Sequence, residues 1–203
     1  QAEKAAAGEN PSAADLRALD DHAHALGVEI VPCTQTLGHF EQILQWPAYT
    51  DLADTPRILL ADHPRTLPLL ERILDAATAP FRSRRVHLGL DEAAGIGTGR
   101  HLLRHGHEPG AAVLRRHLDR VLALCRAREL QPIIWGDMFF RLGSPTRDYY
   151  ECDADPAAVR DLPPELSVVY WDYYHADAAH FRRMFARHRI LGRTPIFAGG
   201  VWT

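Results

Sequence analysis

Val86-His87-Leu88-Gly89-Leu90-Asp91-Glu92, followed by Ala93-Ala94-Gly95-Ile96-Gly97-Thr98-Gly99-Arg100, is the stretch on which the fold turns. Val86 to Leu90 is a short apolar run, with Arg84-Arg85 before it and a carboxylate pair and glycines after it. Such a run suits a strand buried on both faces that ends in a sharply turning polar loop. In α/β proteins, chemistry collects at the carboxyl ends of parallel strands. Two adjacent carboxylates there repel, so at least one is expected to titrate high and to serve as a proton donor. The plainer alternative makes Asp91 a cap for the next helix and Glu92 a solvated side chain.

Upstream, Asn10-Pro11-Ser12 followed by Asp15 predicts a helix start, with Ser12 as N-cap and a carboxylate three residues on. Leu16, Leu19, Ala23 and Leu26 recur at helical spacing, and Gly27 supplies the stop. Val28 to Cys33 reads as a strand. A polar loop, Thr34-Gln35-Thr36-Leu37-Gly38-His39-Phe40-Glu41-Gln42, leads past Trp46-Pro47-Ala48-Tyr49 to a helix from about Arg65 to Ala77. Downstream, Ala112 to Arg128 is the clearest helix. Val113, Leu114, His117, Leu118, Val121, Leu122, Leu124 and Cys125 form its apolar stripe, and its arginines a solvated face. Pro132 to Asp137 and Ser167 to Asp172 read as strands, with a short helix near Asp155–Asp161 between them. Asp177 to His188 is helical, Gly192 ends it, and Thr194 to Ala198 makes the last strand.

Five strands alternating with helices imply a parallel sheet. Gly95-x-Gly97-x-Gly99 lacks the spacing and acidic partner of a dinucleotide loop, which disfavours a doubly wound nucleotide fold. A (β/α)8 barrel typically needs about 250 residues. The expectation is an α/β chain of TIM (β/α)8-barrel type, incomplete here with about five βα units, forming one partial catalytic domain over residues 1–203.

With 46% hydrophobic and 24% charged residues the composition is that of an ordinary globular domain. A formal net charge of -3 gives no reason to expect nucleic acid or an anionic membrane surface as partner. No apolar run approaches a membrane span. Lys4 is the only lysine among 23 basic residues, which reads as the bias of a GC-rich, bacterial genome. The start, Gln1-Ala2-Glu3-Lys4, lacks a signal-peptide pattern and an initiator Met, favouring the cytoplasm for a chain that begins inside a longer protein. Cys33, Cys125 and Cys152 fit neither a disulfide framework nor a zinc site; Cys33 and Cys125 read as packing residues. His101-x-x-x-His105 with His107 offers a transition-metal reading on one helical face, the basis of a rival metal-dependent barrel hydrolase or isomerase. A helix surface among arginines is the plainer account.

His87-Leu88-Gly89-Leu90-Asp91-Glu92 resembles the His-x-Gly-x-Asp-Glu signature of family 20 glycoside hydrolases, the β-N-acetylhexosaminidases. The resemblance extends along most of the chain. Ile30 to Glu41 looks like the third barrel strand of the family's small exo-acting subgroup, and the signature with Gly97-x-Gly99-Arg100 like the fourth. Trp135-x-Asp137-Met138-Phe139-Phe140-Arg141 resembles the fifth, Tyr170-Trp171-Asp172-Tyr173-Tyr174-His175 the sixth and Phe197-Ala198-Gly199-Gly200-Val201-Trp202 the seventh. By that numbering strands one, two and eight are missing.

The resemblance implies an exo-acting β-N-acetylhexosaminidase that cleaves terminal β-linked GlcNAc or GalNAc with retention, through an oxazolinium intermediate and with no cofactor or metal. Its partner is an N-acetylhexosaminide glycan or glycoconjugate. Glu92 would then be general acid and later general base, and Asp91 would hold the acetamido N–H and stabilise developing positive charge. Tyr170 is the candidate donor to the acetamido carbonyl, because strand alternation puts Tyr170 and Asp172 on one face, with Asp172 at a sugar hydroxyl. Tyr173 or Tyr174 takes that role if the strand ends early. Trp135 and Trp202 would wall the pocket against the apolar face of a sugar ring. His39 would lie near the acid, with Gln35 and Asp137 as further contacts; His87 reads as a buried hydrogen-bonding residue. Each has a plainer alternative: the tryptophans as core, His39 as a loop bridge. A truncated barrel that only binds sugar, with open edges and exposed apolar surface, is the non-enzymatic rival.

Overall fold

The computed structural model describes residues 10–150, 162–192 and 194–200. In chain order the first elements are α1 (Ala13–Ala25), α2 (Glu41–Leu44), a 3-10 turn (Thr50–Leu52), β1 (Ala53–Thr55), β2 (Ile58–Leu59) and α3 (Thr66–Thr78). Then follow β3 (Arg85–His87), α4 (Arg100–His105), α5 (Gly110–Ala127), β4 (Gln131–Trp135) and α6 (Asp137–Arg141). β5 (Ser167–Asp172), α7 (Ala178–Arg189) and β6 (Ile196–Gly199) complete the series. The helix starts follow from local chemistry. Ser12 Oγ accepts the Asp15 N–H at 3.2 Å while Asp15 Oδ2 accepts the Ser12 N–H at 3.0 Å, a reciprocal capping box on α1. Asp177 caps α7 by accepting the N–H groups of Ala179 and His180.

The main sheet runs β3-β4-β5-β6, all parallel and in sequence order. Val86 lies opposite Pro132, Ile134 opposite Val168 and Tyr170 opposite Phe197. Four neighbours in this order, joined by helical crossovers, form part of the wall of a (β/α) barrel. The expected strand over Val28–Cys33 is reduced to one parallel bridge, Cys33 to His87, flanked by hydrogen bonds from the His87 N–H to the Pro32 carbonyl and from the Thr34 N–H to the His87 carbonyl. Pro32 has no N–H to donate, which shortens the ladder there. The central strand ends at His87 rather than Leu90 because Gly89 and Leu90 take φ of +68° and +70°. A two-stranded antiparallel hairpin, β1-β2, and the one-turn helix α2 interrupt the stretch read as loop. The helix expected near Asp155–Asp161 falls outside the described residues, as do Trp202, Cys152 and Lys4.

The expected α5 stripe is the floor of the core: Val113, Leu114, His117, Leu118, Val121, Leu122 and Cys125 are buried, with Leu124 partly so. Against them pack Leu70 and Leu74 of α3 and Ile134 of β4. The α5 arginines are tied down rather than merely solvated. Arg115 pairs with Asp119, Arg116 with Glu108 and Asp62, Arg120 with Asp62, and Arg126 with Glu165. Cys33 is exposed, contrary to its reading as a packing residue, because the sheet ends at its segment. Leu19, Leu26 and Val28 at that end, and Ile196 and Phe197 on β6 at the other, also face solvent.

One buried carboxylate holds the loop after β3 in place. Asp54, on β1, accepts the Gly97 N–H at 2.6 Å and the His101 N–H at 2.8 Å. Two charge-assisted bonds at about 1.5 kcal/mol each put the expected cost of Asp54→Ala at about 3 kcal/mol in urea unfolding. A loss below about 1 kcal/mol would show that the loop is held elsewhere.

Candidate active site

The end of β3 is built from unusual backbone. His39, Leu90 and Glu92 all have positive φ, at 58°, 70° and 51°, a conformation that side chains rarely adopt and that costs of order 1 kcal/mol or more each. Two glycines let the segments around them close together. A Cβ on Gly89 would lie 2.0 Å from Gln35 Oε1, and one on Gly38 would lie 2.7 Å from the Asp91 carbonyl oxygen. Residues 34–39 and 88–92 are thereby pressed backbone to backbone at the carboxyl end of the sheet.

A cavity of about 310 Å³ opens there, lined by His39, Asp91, Glu92, Trp135, Trp171, Tyr173 and Tyr174. Asp91 Oδ1 accepts the Gln35 side-chain N–H at 2.9 Å. His39 Nε2 stands 3.3 Å from Asp91 Oδ2 and 3.5 Å from Glu92 Oε2, so one imidazole nitrogen bridges the pair. Arg57 Nη2 lies 3.2 Å from His39 Nδ1. Because arginine can only donate, Nδ1 accepts and the ring proton sits on Nε2, facing both carboxylates. The Asp91 side chain is 18% exposed and that of Glu92 41%. Asp91 is thus fixed in the wall while Glu92 reaches into open space. That division suits one stationary charge and one group that exchanges protons.

Trp135 and His87 stack with ring centroids 4.5 Å apart. His87 Nδ1 accepts the Gly89 N–H at 3.1 Å, and burial pushes this imidazole down to about 4, which leaves it neutral at pH 7. It is the buried hydrogen-bonding residue expected, and it supports the Trp135 ring from behind. Asp137 does not line the cavity. Its side chain is buried beneath the pair, with Oδ2 accepting the Glu92 backbone N–H at 3.0 Å. The Asp137 carboxyl is pushed up to about 7, first by burial and then by the Asp91 charge.

Tyr170 and Asp172 are likewise not brought to the cavity. The Tyr170 ring packs on Phe185, His188 and Phe197, and its hydroxyl donates to Asp172 Oδ2 at 2.7 Å. They do share a face, as alternation required, but it is the face covered by α7. Trp171 and Tyr173 take the cavity side, and Tyr174 joins them past the strand end. Trp171 and Arg57 were not singled out from the sequence. The odd residues of β5 carry the signal for Trp171; Arg57 sits in a hairpin that no pattern announced.

Among the described residues, two groups of histidine and carboxylate side chains lie close enough to share a metal ion, Asp62-His101-His105 and Asp172-His175-His180. In the first, Arg116 and Arg120 already bind Asp62, and His101 is buried between Asp62 and Glu108. His101 and His105 therefore do not form the open helical face that a metal reading needed. In the second, Asp172 accepts the Tyr170 hydroxyl, the N–H groups of Tyr174 and His175, and both imidazoles. Each of those polar groups is accounted for without an ion.

A parallel sheet in sequence order, with two carboxylates, an imidazole and indoles gathered at its carboxyl end, defines the class: an incomplete α/β barrel. The chain is 27% identical over 155 residues to Hexosaminidase D of Homo sapiens, covering 72% of this chain and 30% of that protein. Its fold matches a β-N-acetylhexosaminidase from Bacteroides fragilis with a TM-score of 0.64 at 20% identity, over 94% of this chain and 35% of the other. The GH20 β-N-acetylhexosaminidase from Streptomyces coelicolor matches with a TM-score of 0.61 at 18% identity, over 95% and 35% of the two chains. No family model matches the chain. The chain spans less than half the length of the curated relatives it matches.

The backbone approach at Gly89 is testable by itself. Gly89→Ala adds a methyl where Gln35 stands, at a φ that alanine disfavours, so the Gln35–Asp91 hydrogen bond is lost. The expected result is a drop of about 1–3 kcal/mol in unfolding free energy, measured in urea. An unchanged midpoint would show that Gln35 yields freely.

Proposed function

We propose that this chain carries the catalytic centre of a β-N-acetylhexosaminidase, hydrolysing terminal β-linked GlcNAc or GalNAc with retention. The observation that carries the reading is the bridging of Asp91 and Glu92 by His39 Nε2 on the floor of an aromatic cavity. Two opposed carboxylates, the usual retaining arrangement, do not suit residues adjacent in sequence, whereas substrate-assisted attack needs only one acid and one stabilising charge.

In this reading Glu92 gives its proton to the glycosidic oxygen as the bond to the anomeric carbon breaks. The substrate's own acetamido oxygen attacks that carbon and closes an oxazolinium ring. Asp91, held by Gln35, accepts the acetamido N–H and offsets the positive charge that spreads over the ring. Glu92, now ionised, takes a proton from water as the water opens the oxazolinium, and the configuration is retained. Trp135 and Trp171 wall the sugar with apolar faces. Tyr173 or Tyr174 replaces Tyr170 as donor to the acetamido carbonyl, since these line the cavity and Tyr170 does not. The proposed steps call on no metal.

The test is hydrolysis of aryl β-N-acetylglucosaminide and aryl β-N-acetylgalactosaminide by the protein at its natural full length. Wild type is expected to release the aryl group, and Glu92→Gln to lose at least about 100-fold in kcat/KM. Asp91→Asn is expected to lose a comparable factor, because an amide cannot balance the developing charge. Folded protein that releases no aryl group but binds free N-acetylglucosamine would favour a sugar-binding module instead. Among the tyrosines, Tyr173→Phe or Tyr174→Phe should lower kcat by about tenfold or more. Equal loss in Tyr170→Phe alone would return the acetamido contact to the buried face.

A further inference from the structure

Asp137 is the buried group around the cavity that the proposed chemistry leaves unused. It opens α6 directly beneath the carboxylate pair, and its side chain is almost wholly excluded from solvent. One oxygen, Oδ2, accepts the N–H of Glu92, the residue whose backbone is held at a φ of 51°. The other, Oδ1, is buried and has no hydrogen-bond partner. The Trp171 indole N–H is near enough to draw the carboxyl down without forming a hydrogen bond. We propose that Asp137 is a positioning residue rather than a sugar contact: it holds Glu92 in its left-handed conformation through the backbone N–H. This rests on the hexosaminidase reading of Asp91 and Glu92 for its kinetic consequence, though not for its structural one.

The argument begins with position. No substrate atom reaches a side chain sealed under the cavity floor, so a direct contact to sugar is excluded by burial. A backbone N–H at a strained turn must be satisfied to keep the turn, and Asp137 satisfies it. The charged and titratable groups facing Asp137 are Asp91 and Glu92 from the loop after β3, and Tyr149 and Tyr150 from the loop after α6. From β5 it meets the neutral Trp171. Both tyrosines are themselves pushed up, by burial first and by the Asp137 charge among lesser causes. No cation is among the largest influences on Asp137, which is why burial and Asp91 carry it to about 7.

The sign of the pH effect follows. The folded chain holds a proton on Asp137 up to about 7, whereas the ordinary value for a free aspartate is 3.8. The stability this contributes is complete below the lower value and is lost as pH rises through the upper one. A negative charge then forms beneath the cavity, beside Asp91.

Two variants and two readouts test the proposal in the full-length protein. Asp137→Asn keeps an acceptor oxygen for the Glu92 N–H but cannot ionise; Asp137→Ala removes both. Thermal unfolding between pH 4 and 8 is expected to lose its fall toward neutral pH in both variants, and the 13C carboxyl resonance assigned to Asp137 to titrate near 7. With aryl β-N-acetylhexosaminide as substrate, Asp137→Ala is expected to lower kcat by about 100-fold with KM within about threefold, and Asp137→Asn to recover at least about tenfold of that loss. A raised KM with unchanged kcat in both variants would make Asp137 a sugar contact and overturn the proposal. So would a carboxyl that titrates below about 5. Wild type without hydrolytic activity would sink the hexosaminidase reading alone, since the unfolding and carboxyl titrations are read without substrate.

Discussion

The contact between the loop at residues 34–39 and the turn at residues 88–92 is the constraint on which the site depends. Gly89 leaves room for Gln35, Gly38 leaves room for the Asp91 carbonyl, and each approach is closer than any side chain allows. Around them His39, Leu90 and Glu92 hold backbone conformations that are unfavourable in isolation. Such strain persists only where surrounding structure overdetermines it. Here the hydrogen bonds that do so also orient the chemistry: Gln35 to Asp91, Asp137 to the Glu92 N–H, and Thr36 Oγ1 to the Leu88 carbonyl at 2.8 Å. The buried His117 ring, 2.8 Å from the Thr36 carbonyl, carries the tie into α5.

Behind this turn the scaffold is rigid for ordinary reasons. The apolar faces of α3, α5 and β4 form one core, and the outer surface of α5 is laced by arginine–carboxylate pairs. Glu108 shows how far such pairing goes: hydrogen bonds from Arg116 and then His101 hold its carboxyl at about 2. Pairs of this kind near the surface add little to stability singly. As a network that joins residues 62, 101, 108 and 116, they fix where α4 and α5 begin relative to one another.

Much of this was legible in the chain. The alternation of elements, the α5 stripe, the Ser12 cap and the collection of polar residues at strand ends all follow from periodicity and local chemistry. The phase of β5 was not. Alternation correctly paired Tyr170 with Asp172, but a strand buried on both faces carries no polar side to say which pair looks inward. Only packing against Phe185 and Phe197 settles that. Cys33 and Pro32 failed for a related reason: a strand's length depends on its neighbours' donors as well as on its own residues. Arg57 was invisible because its role comes from a hairpin that brings it to His39 across 18 positions of sequence.

Adjacent carboxylates suggested that repulsion within the pair would produce the proton-holding group. The structure adds another proton-holding group one layer deeper, at Asp137. Asp91 has Gln35 and His39 as partners, and Glu92 has His39 and solvent. Asp137 has one backbone N–H, a neighbouring indole and an orphaned oxygen. Burial, with the Asp91 charge adding to it, is therefore what raises Asp137. Asp137 can meet both structural demands at once, since a neutral carboxyl still offers an oxygen to the Glu92 N–H without adding charge beneath the pair. An ionised residue in the same place would grip that N–H more firmly but would set a negative charge against Asp91. The sealed, under-solvated position of Asp137 resolves the conflict in favour of the neutral form over the acidic half of the pH range.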